Sequence, residues 1–339
     1  MRFFRDFEFA CAAGLILLAL PRPAAAELPA SVVEGAKKEG EVVLYGTFAG
    51  QATRTIRELF EKTYGVRVSI RRGDSEDLLN RLAKAKGSDA PFDVAAGNDA
   101  AMVPLEEKGL LEPFEPPAAR KFPKQLVPAN RGLTPWRVFA FGLNYNTQRL
   151  TAAQAPKHWE ELLDPKWKRK FLVPNPALHA STLQFMLNLE KLLGPKWLSV
   201  VQGWAKQRPR IARDPAEEIP TLTSGEIPVA IGYIKDKFQF AGPIDFVKMD
   251  RYLVTVSYIA VSRGAPHPNA ARLFTDFFLG PEPQQIIANL GDYVLHPDVE
   301  DRFRSEVTDD QLVPMRLPSP AERAAWTKKF REMFKYSAQ

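Results

Sequence analysis

The stretch Gly225-Glu226-Ile227-Pro228-Val229-Ala230-Ile231-Gly232-Tyr233-Ile234-Lys235-Asp236 decides the fold, because it predicts a helix end, a turn and a buried strand in immediate succession. Gly225 suits the left-handed backbone conformation in which helices commonly end. Pro228 suits the first position of a strand, where no backbone donor is needed. The strand from Val229 to Tyr233 is almost wholly apolar, which is typical of a parallel strand buried on both faces.

This strand leads directly to an aromatic ring, a cation and an anion, which are Tyr233, Lys235 and Asp236. In open α/β sheets, ligands bind in the crevice beyond the carboxyl ends of the strands. The three side chains therefore indicate a binding site. The alternative is that the charged residues 235–237 begin a solvated loop, since charged side chains are mostly exposed.

Strand and helix patterns alternate in the part of the chain that precedes this stretch. Strands are predicted over Val42–Tyr45, Val66–Ile70 and Phe92–Ala95, and helices over Ser31–Lys38, Gln51–Lys62, Asp74–Lys86 and from Asp99 onward. Ser31 and Glu34 have the spacing of a capping box at the first helix. Residues 104–135 hold seven prolines and predict irregular chain. Regular alternation of strand and helix predicts a mostly parallel sheet.

The rest of the chain predicts a second set of elements. These are a helix at Trp159, a strand over Phe171–Val173, helices over Ser181–Leu193 and around Trp197, and helices over Asn269–Leu279 and Glu282–Leu290. Ser319 and Glu322 form a capping box with a proline between them, which predicts a terminal helix.

A chain of 339 residues is long enough for two domains. Two long apolar strands, Val138–Asn144 and Leu253–Val261, suit a pair of strands that cross between two lobes. The predicted division places residues 27–138 and 256–305 in lobe 1, and residues 139–255 and 306–339 in lobe 2. The predicted fold class is therefore α/β, in which each lobe is a mixed, mostly parallel sheet flanked by helices. The crossing strands would form a hinge.

Residues 1–26 predict a secretory signal peptide, because Arg2 and Arg5 precede an apolar run that ends near the small residues Ala24 to Ala26. Its removal would leave no cysteine, so neither disulfide nor thiolate chemistry is expected. The formal net charge of +6 is modest and its basic residues are spread along the chain. Nucleic-acid binding is therefore not expected, whereas a mildly basic protein favours an anionic solute.

Catalytic signals are poor. The sequence lacks the motifs G-x-S-x-G, G-x-x-x-x-G-K-[ST], G-x-G-x-x-G and H-E-x-x-H, and its four histidines are far apart. No enzymatic activity, metal or cofactor is expected from such a pattern.

The opening stretch, together with other motifs in the same order, resembles the periplasmic solute-binding proteins of the ferric-iron, spermidine and phosphonate class. The further motifs are Val42–Tyr45, Phe92–Val94, Tyr145–Thr147, Trp159–Lys168 and Ala270–Gln285. The resemblance covers residues 40 to 300, and it implies a two-lobe protein that presents a solute to an ABC permease.

The ferric-iron members of this class would supply four metal ligands, and none is retained. A histidine is expected shortly after the first strand, where this chain has Ala49. A glutamate is expected after the third strand, where Asn98 stands beside Asp99. Two adjacent tyrosines are expected after the strand of the opening stretch, where this chain has Lys235 and Asp236. An ammonium group repels Fe(III), so the resemblance favours the transport role but not iron ligation.

These substitutions favour a small anionic solute of carboxylate, phosphate or phosphonate type. Lys235 brings a cation to the place of the metal, and the resemblance places Tyr233 where the class contacts an accompanying anion. Small polar residues also precede predicted helix starts, whose unpaired donors attract anions. The predicted ligand-binding residues are Thr47, Phe48, Asp74, Asn98, Arg137, Asn175, Ser181, Thr182, Tyr233, Lys235 and Tyr258. Ordinary helix capping is the alternative role for Asp74, Ser181 and Thr182, and Asp236 favours a solute with a second, cationic end.

The leading hypothesis is thus a monomeric, periplasmic binding protein that closes two lobes over a small anion and delivers it to an ABC permease. Three alternatives stay open at this point. They are a ferric-iron protein with atypical ligands, an enzyme on the same two-lobe fold, and a sensory partner of a membrane receptor.

Overall fold

The structure is a computed structural model, and it describes residues 28–46, 51–73, 81, 92–126, 132–213 and 215–334. The predicted signal over residues 1–26 lies outside the described residues, and so do Thr47, Phe48 and Asp74. The helix predicted over Asp74–Lys86 lies outside them as well, apart from Arg81. Within the described ranges, no helix combines the length and the apolar character that crossing a membrane requires.

The strands of the described chain form one mixed sheet. In chain order they are β1 (Glu41–Gly46), β2 (Arg67–Arg72), β3 (Val94–Asn98), β4 (Thr134–Asn146), β5 (Phe171–Pro174), β6 (Arg210–Ala212), β7 (Val229–Tyr233), β8 (Ile244–Phe246), β9 (Tyr252–Val261), β10 (Tyr293–Val294) and β11 (Leu312–Pro314). The main path of the sheet runs β2-β1-β3-β9-β4-β7-β5-β6, while β8 and β10 pair with β4, and β11 pairs with β9.

Two groups of parallel strands flank a central antiparallel pair. Strand β1 is parallel to β2 and β3, and β5 is parallel to β6 and β7. Between these groups, β9 is antiparallel to β3 and β4 is antiparallel to both β9 and β7. Parallel strands need crossover connections, usually helices. The predicted α/β fold with a mixed sheet is confirmed. The sheet is not mostly parallel, because the described strands form five parallel and five antiparallel pairs, and they belong to one sheet instead of one for each lobe.

Helices make these connections. The α-helices of the described chain are α1 (Ala30–Glu39), α2 (Gln51–Tyr64), α3 (Asp99–Glu107), α4 (Ala180–Asn188), α5 (Glu190–Leu193), α6 (Trp197–Lys206), α7 (Glu218–Thr223), α8 (Asp236–Gln239), α9 (Pro268–Leu279), α10 (Pro281–Ala288) and α11 (Pro320–Met333). The predicted capping box at Ser319 and Glu322 opens α11, as expected.

The apolar side chains gather into two large cores. One is built on β1, β3, α2 and α9, where the rings of Phe60 and Phe274 have centroids 5.1 Å apart. The other is built on β5, β7, α4 and α6, and it includes the buried Trp204. Strand β4 serves both cores and changes from the first to the second at Phe141. Strand β9 packs in the first core from Tyr252 onward, and Leu253, which faces Phe141 in the sheet, is its contribution to the second core. The cores thus meet within a few residues of the predicted lobe boundaries.

Several predicted element details are wrong. Ser31 is not the N-cap of α1, because the helix begins at Ala30 after Pro29 and the cap has no side-chain hydrogen bond. Strand β3 begins at Val94, not at Phe92. Just before it, the carboxylate of Asp93 accepts a hydrogen bond from the backbone N–H of Val43.

The helix predicted over Ser181–Leu193 is interrupted at Leu189, which separates α4 from α5. The helix predicted at Trp159 is a 3-10 helix over Trp159–Leu163. Pro104 is not part of an irregular segment, because it lies inside α3. Pro104 is the sixth residue of this helix, beyond its first turn, so the helix lacks one internal backbone hydrogen bond at that position.

Candidate functional site

Strand β7 ends at the candidate site, and its approach is as predicted. Helix α7 ends at Ser224, and Gly225 follows with a φ of 70°. Gly232 is required near the end of the strand, because a Cβ atom on it would lie 1.7 Å from Oε2 of Glu218. The absence of a side chain at Gly232 therefore lets α7 place a carboxyl group directly on the strand.

Lys235 follows β7 and is largely buried, so the alternative of a solvated loop is wrong. Its side chain is 16% exposed, and Asp236 begins helix α8 directly after it. The ammonium Nζ donates to Oε1 of Gln239 at 2.7 Å and lies 3.5 Å from Oδ1 of Asp292. Burial lowers the pKa of Lys235, and Arg137 lowers it further, while Asp292 opposes both effects.

Asp292 also holds the guanidinium of Arg137, the other predicted cationic contact. Nη1 of Arg137 donates to Oδ2 of Asp292 at 2.7 Å, and both side chains are mostly buried. The guanidinium lies 4.2 Å from the ring centroid of Trp136 and 4.4 Å from that of Phe139. One buried carboxylate therefore lies between two cations.

Aromatic side chains form the floor between these charges and the second core. The ring of Tyr233 lies 5.4 Å from Phe139 and 4.6 Å from Phe141, centroid to centroid. Phe141 stacks in turn on Phe185 of α4 at 4.6 Å. Phe139 and Phe141 project from the same face of β4, because side chains two residues apart on a strand share a face.

A pair of buried carboxyl groups lies behind this floor. Glu218 is fully buried and Asp236 nearly so, and the two are hydrogen-bonded to each other. Nδ2 of Asn144 donates to Oε1 of Glu218 at 2.6 Å. Burial, assisted by the neighbouring Asp236, raises the pKa of Glu218 well above its ordinary value. Burial also raises the pKa of Asp236 to about 6, although Glu218 and Lys235 oppose that rise. The pair consequently keeps a shared proton near neutral pH.

The amino end of α4 meets the same site. His179 is the N-cap of the helix, and its Nδ1 accepts from the backbone N–H of Thr182 and lies 2.8 Å from the Thr182 hydroxyl. The Ser181 hydroxyl is hydrogen-bonded to Tyr233. Burial raises the pKa of Tyr233, and the carboxyl groups around it add to the rise. The phenol therefore stays protonated and acts as a hydrogen-bonding group.

Asp99 joins the first core to the second at the far side of the site. Its Oδ2 accepts from Nε2 of Gln184 on α4 at 2.5 Å, and its Oδ1 accepts from the Thr255 hydroxyl at 3.0 Å. The neighbouring Asn98 caps α3 by accepting from Ala101 N–H. Burial raises the pKa of Asp99, and burial together with Asp99 raises that of Tyr258.

A cavity of about 370 Å³ opens beyond the carboxyl end of β7. It is lined by Phe139, His179, Pro215, Ile219, Tyr233, Lys235, Asp236, Gln239 and Phe240. A larger hollow of about 690 Å³ lies near the amino end of the same strand, by Pro228 and Arg149. We take the smaller cavity as the candidate site, because ligands of open α/β sheets bind at carboxyl ends of strands.

The predicted contacts fall into three groups around this cavity. Tyr233 and Lys235 line it. Arg137, Ser181 and Thr182 lie one contact away, through Phe139, Tyr233 and His179 respectively. Asn98, Asn175 and Tyr258 do not line it, and the Asn175 side chain instead accepts from the backbone N–H of Ala177 in a turn.

Sequence reasoning missed eight residues of the candidate site. Six of them line the cavity, namely Phe139, His179, Pro215, Ile219, Gln239 and Phe240, and two lie behind it, namely Glu218 and Asp292. The alternation of Arg137, Phe139 and Phe141 along β4 is a local signal that could have indicated one face of a binding floor. Asp292 has no such signal, because its partners lie in distant segments of the chain. Within the described residues, no group of three or more His, Cys, Asp or Glu side chains is placed to hold a metal ion.

Residues 89–310 match the model of a family described as bacterial extracellular solute-binding protein. A curated relative is an Fe(3+)-binding periplasmic protein of Serratia marcescens, 25% identical over 174 residues, which are 51% of this chain and 50% of the relative. The chain therefore spans about half the length of that relative.

Solved structures have the same fold. Iron-bound HitA of Pseudomonas aeruginosa matches with a TM-score of 0.69 at 20% identity, over 88% of this chain and 99% of the neighbour. AfuA of Actinobacillus pleuropneumoniae, solved with exogenous fructose-6-phosphate bound, matches with a TM-score of 0.68 at 19% identity, over 87% and 99%. At such identities the likeness establishes the fold.

The family match covers well over half of the chain, and the fold of its structural neighbours agrees with it. Members of this family bind substrates and are not enzymes, so the prediction of a binding protein is confirmed and the enzyme alternative is not supported. The chain belongs to the family of bacterial extracellular solute-binding proteins, and within it to the periplasmic class of the ferric-iron and AfuA type.

Proposed function

We propose that this protein is the periplasmic substrate-binding component of an ABC importer and that it holds a small anionic solute in the cavity beyond β7. The solute would carry a carboxylate, phosphate or phosphonate group. The observation that carries this proposal is the Lys235 ammonium, a mostly buried cation that lines the cavity. Burying a charge is costly unless it is paired, and Asp292 is shared between Lys235 and Arg137.

The rest of the proposal concerns delivery. Residues 1–26 would direct export to the periplasm, and the folded monomer would present its solute to a permease of the inner membrane. Lobe 1 (residues 27–138 and 256–305) and lobe 2 (residues 139–255 and 306–339) would close about β4 and β9. The change of β4 from one core to the other at Phe141 supports this hinge.

Ferric iron is the competing solute, because relatives are named for it. Fe(III) favours deprotonated oxygen ligands, yet burial raises the pKa of both Tyr233 and Tyr258. The Lys235 ammonium would also repel the metal. The raised pKa of the two phenols and the positive charge of Lys235 therefore favour an anionic solute over ferric iron.

The test is calorimetric titration of the purified protein with acetate, benzoate, inorganic phosphate and Fe(III) citrate, repeated on Lys235→Met. Losing a charge-assisted hydrogen bond of about 1.5–3 kcal/mol should weaken anion binding about 10- to 100-fold. Lys237→Met is the matched control, because the Lys237 ammonium contacts Asp245 and Glu306 instead of the cavity. Anion affinities that are equal in Lys235→Met and wild type, or binding of iron alone, would contradict the proposal.

A further inference from the structure

The cavity beyond β7 combines an apolar wall with a single cation, and this combination narrows the class of solute. Five of its nine lining side chains are apolar or aromatic, namely Phe139, Pro215, Ile219, Tyr233 and Phe240. Its volume of about 370 Å³ is near the lower end of the range for small-molecule sites, roughly 300–1,000 Å³. The cavity therefore suits a compact solute with a substantial apolar surface.

Phe240 is the least buried part of this wall. It is 44% exposed, one of three large hydrophobic side chains of the described chain with such exposure. Leaving apolar surface in water is unfavourable by about 25 cal/mol per Å². An exposed ring at the edge of a cavity gains stability when a solute with an apolar face covers it.

Several polar groups that line the cavity are already bonded to other protein groups. The imidazole of His179 bonds to Thr182, and the amide oxygen of Gln239 accepts from Lys235. The carboxyl group of Asp236 is bonded to Glu218. A polyhydroxylated solute would bury hydroxyl groups that need partners, and each unpaired hydroxyl is costly. This arrangement disfavours a sugar-like body.

Lys235 is the cationic lining group with donor capacity to spare. An ammonium group has three donors, and its contacts among the described residues are with Gln239 and Asp292. Its Nζ lies 4.8 Å from the ring centroid of Phe139. An anionic head bound to the ammonium would consequently place the adjoining part of the solute against aromatic rings.

Resting on the proposed function, we propose that the solute is an organic acid with one anionic head and a flat, aromatic body. The head pairs with Lys235, and the ring packs among Phe139, Tyr233 and Phe240. Aromatic pairs contribute about 0.5–1.5 kcal/mol beyond the burial of area. Lys235 is the one Lys or Arg side chain among the nine described residues that line the cavity, and this suits a solute with one anionic head.

Matched probes test this inference on the full exported protein. Benzoate and cyclohexanecarboxylate have the same charge and a similar size, and only benzoate is aromatic; acetate has the charge without a ring. Benzoate should bind about 2- to 10-fold more tightly than cyclohexanecarboxylate. It should also bind at least about 10-fold more tightly than acetate, inorganic phosphate or fructose 6-phosphate, because those probes bury no comparable apolar surface.

Variants at Phe240 test whether this ring contributes to the binding of benzoate. Phe240→Ala and Phe240→Leu should each weaken benzoate binding about 3- to 10-fold, with circular dichroism to verify that they fold. Leu290→Ala is the matched control, since Leu290 is 41% exposed and does not line the cavity.

The outcomes distinguish a failure of the aromatic-solute proposal from a failure of the proposed function. If acetate or phosphate binds as tightly as benzoate and still depends on Lys235, the aromatic solute is refuted and the proposed function stands. If no anion binds, or if Lys235→Met binds anions as tightly as wild type does, both the aromatic solute and the proposed function are refuted. Unchanged benzoate affinity in the Phe240 variants also refutes the aromatic solute.

Discussion

Replacing Glu218 by glutamine should make the protein more stable, and increasingly so as the pH rises. Glu218 is fully buried beneath Gly232, bonded to Asp236 and Asn144, and burial keeps its carboxyl group protonated well above its ordinary pKa. In the unfolded chain the same group ionises near pH 4.5. Between these two pKa values the folded protein binds a proton that the unfolded protein releases. Stability is therefore present in full at low pH and is lost as the pH rises.

The size of the effect follows from the proton alone. Each pH unit in this interval removes about 1.4 kcal/mol from the free energy of unfolding. Glu218→Gln keeps the side-chain shape and a donor toward Asp236, but it has no proton to release in either state. From about pH 5 to about pH 6.5, the stability of the variant relative to wild type should therefore rise by about 2 kcal/mol.

Urea unfolding at these two pH values measures the difference, followed by tryptophan fluorescence and by circular dichroism together. Glu190→Gln is the matched control, because Glu190 is an exposed residue at the start of α5. The quantity that tests the buried carboxyl group is the pH dependence that Glu218→Gln shows beyond that of Glu190→Gln. If that additional dependence is absent, or if the Glu218→Gln difference shrinks as the pH rises, then Glu218 does not hold its proton in the folded protein.

Two further substitutions test the packing around the site and at the far end of the chain. Gly232→Ala would bring a Cβ atom to 1.7 Å from Oε2 of Glu218. Overpacking of this kind should lower the free energy of unfolding by about 1–3 kcal/mol. An unchanged urea midpoint would contradict this geometry. Ser319→Ala removes the capping box of α11 and should cost about 1 kcal/mol, measured by the same unfolding curves; a larger loss than Gly232→Ala would be unexpected.

The fold was largely predictable because local signals determined it. The run Val229–Tyr233 is apolar on both faces, and it forms the predicted buried strand beside β4 and β5. The capping signal at Ser319 was also reliable. The prediction of Ser31 as an N-cap was wrong because the helix begins one residue earlier, at Ala30. Pro29 has a fixed φ and takes the N-cap position without a side-chain hydrogen bond.

The site was predictable only in part, since its chemistry depends on contacts between distant segments. Tyr233 and Lys235 follow a strand end, and that position alone indicated a role. Asp292 is separated from both of its cationic partners along the chain, so only the folded structure brings them together. Asp236 was expected to attract a cationic solute end, but in the fold it is bonded to Glu218.

If the solute is the proposed organic anion, the same burial that favours it also disfavours iron ligation. A ferric site must pay to deprotonate its phenols, and burial has already raised the pKa of Tyr233 and Tyr258. Replacing Lys235 alone would not remove this barrier, because Arg137 would still face Asp292 and hold that carboxylate away from a metal. Iron affinity would therefore require several coordinated changes, whereas an anion requires only the ammonium that the chain already supplies.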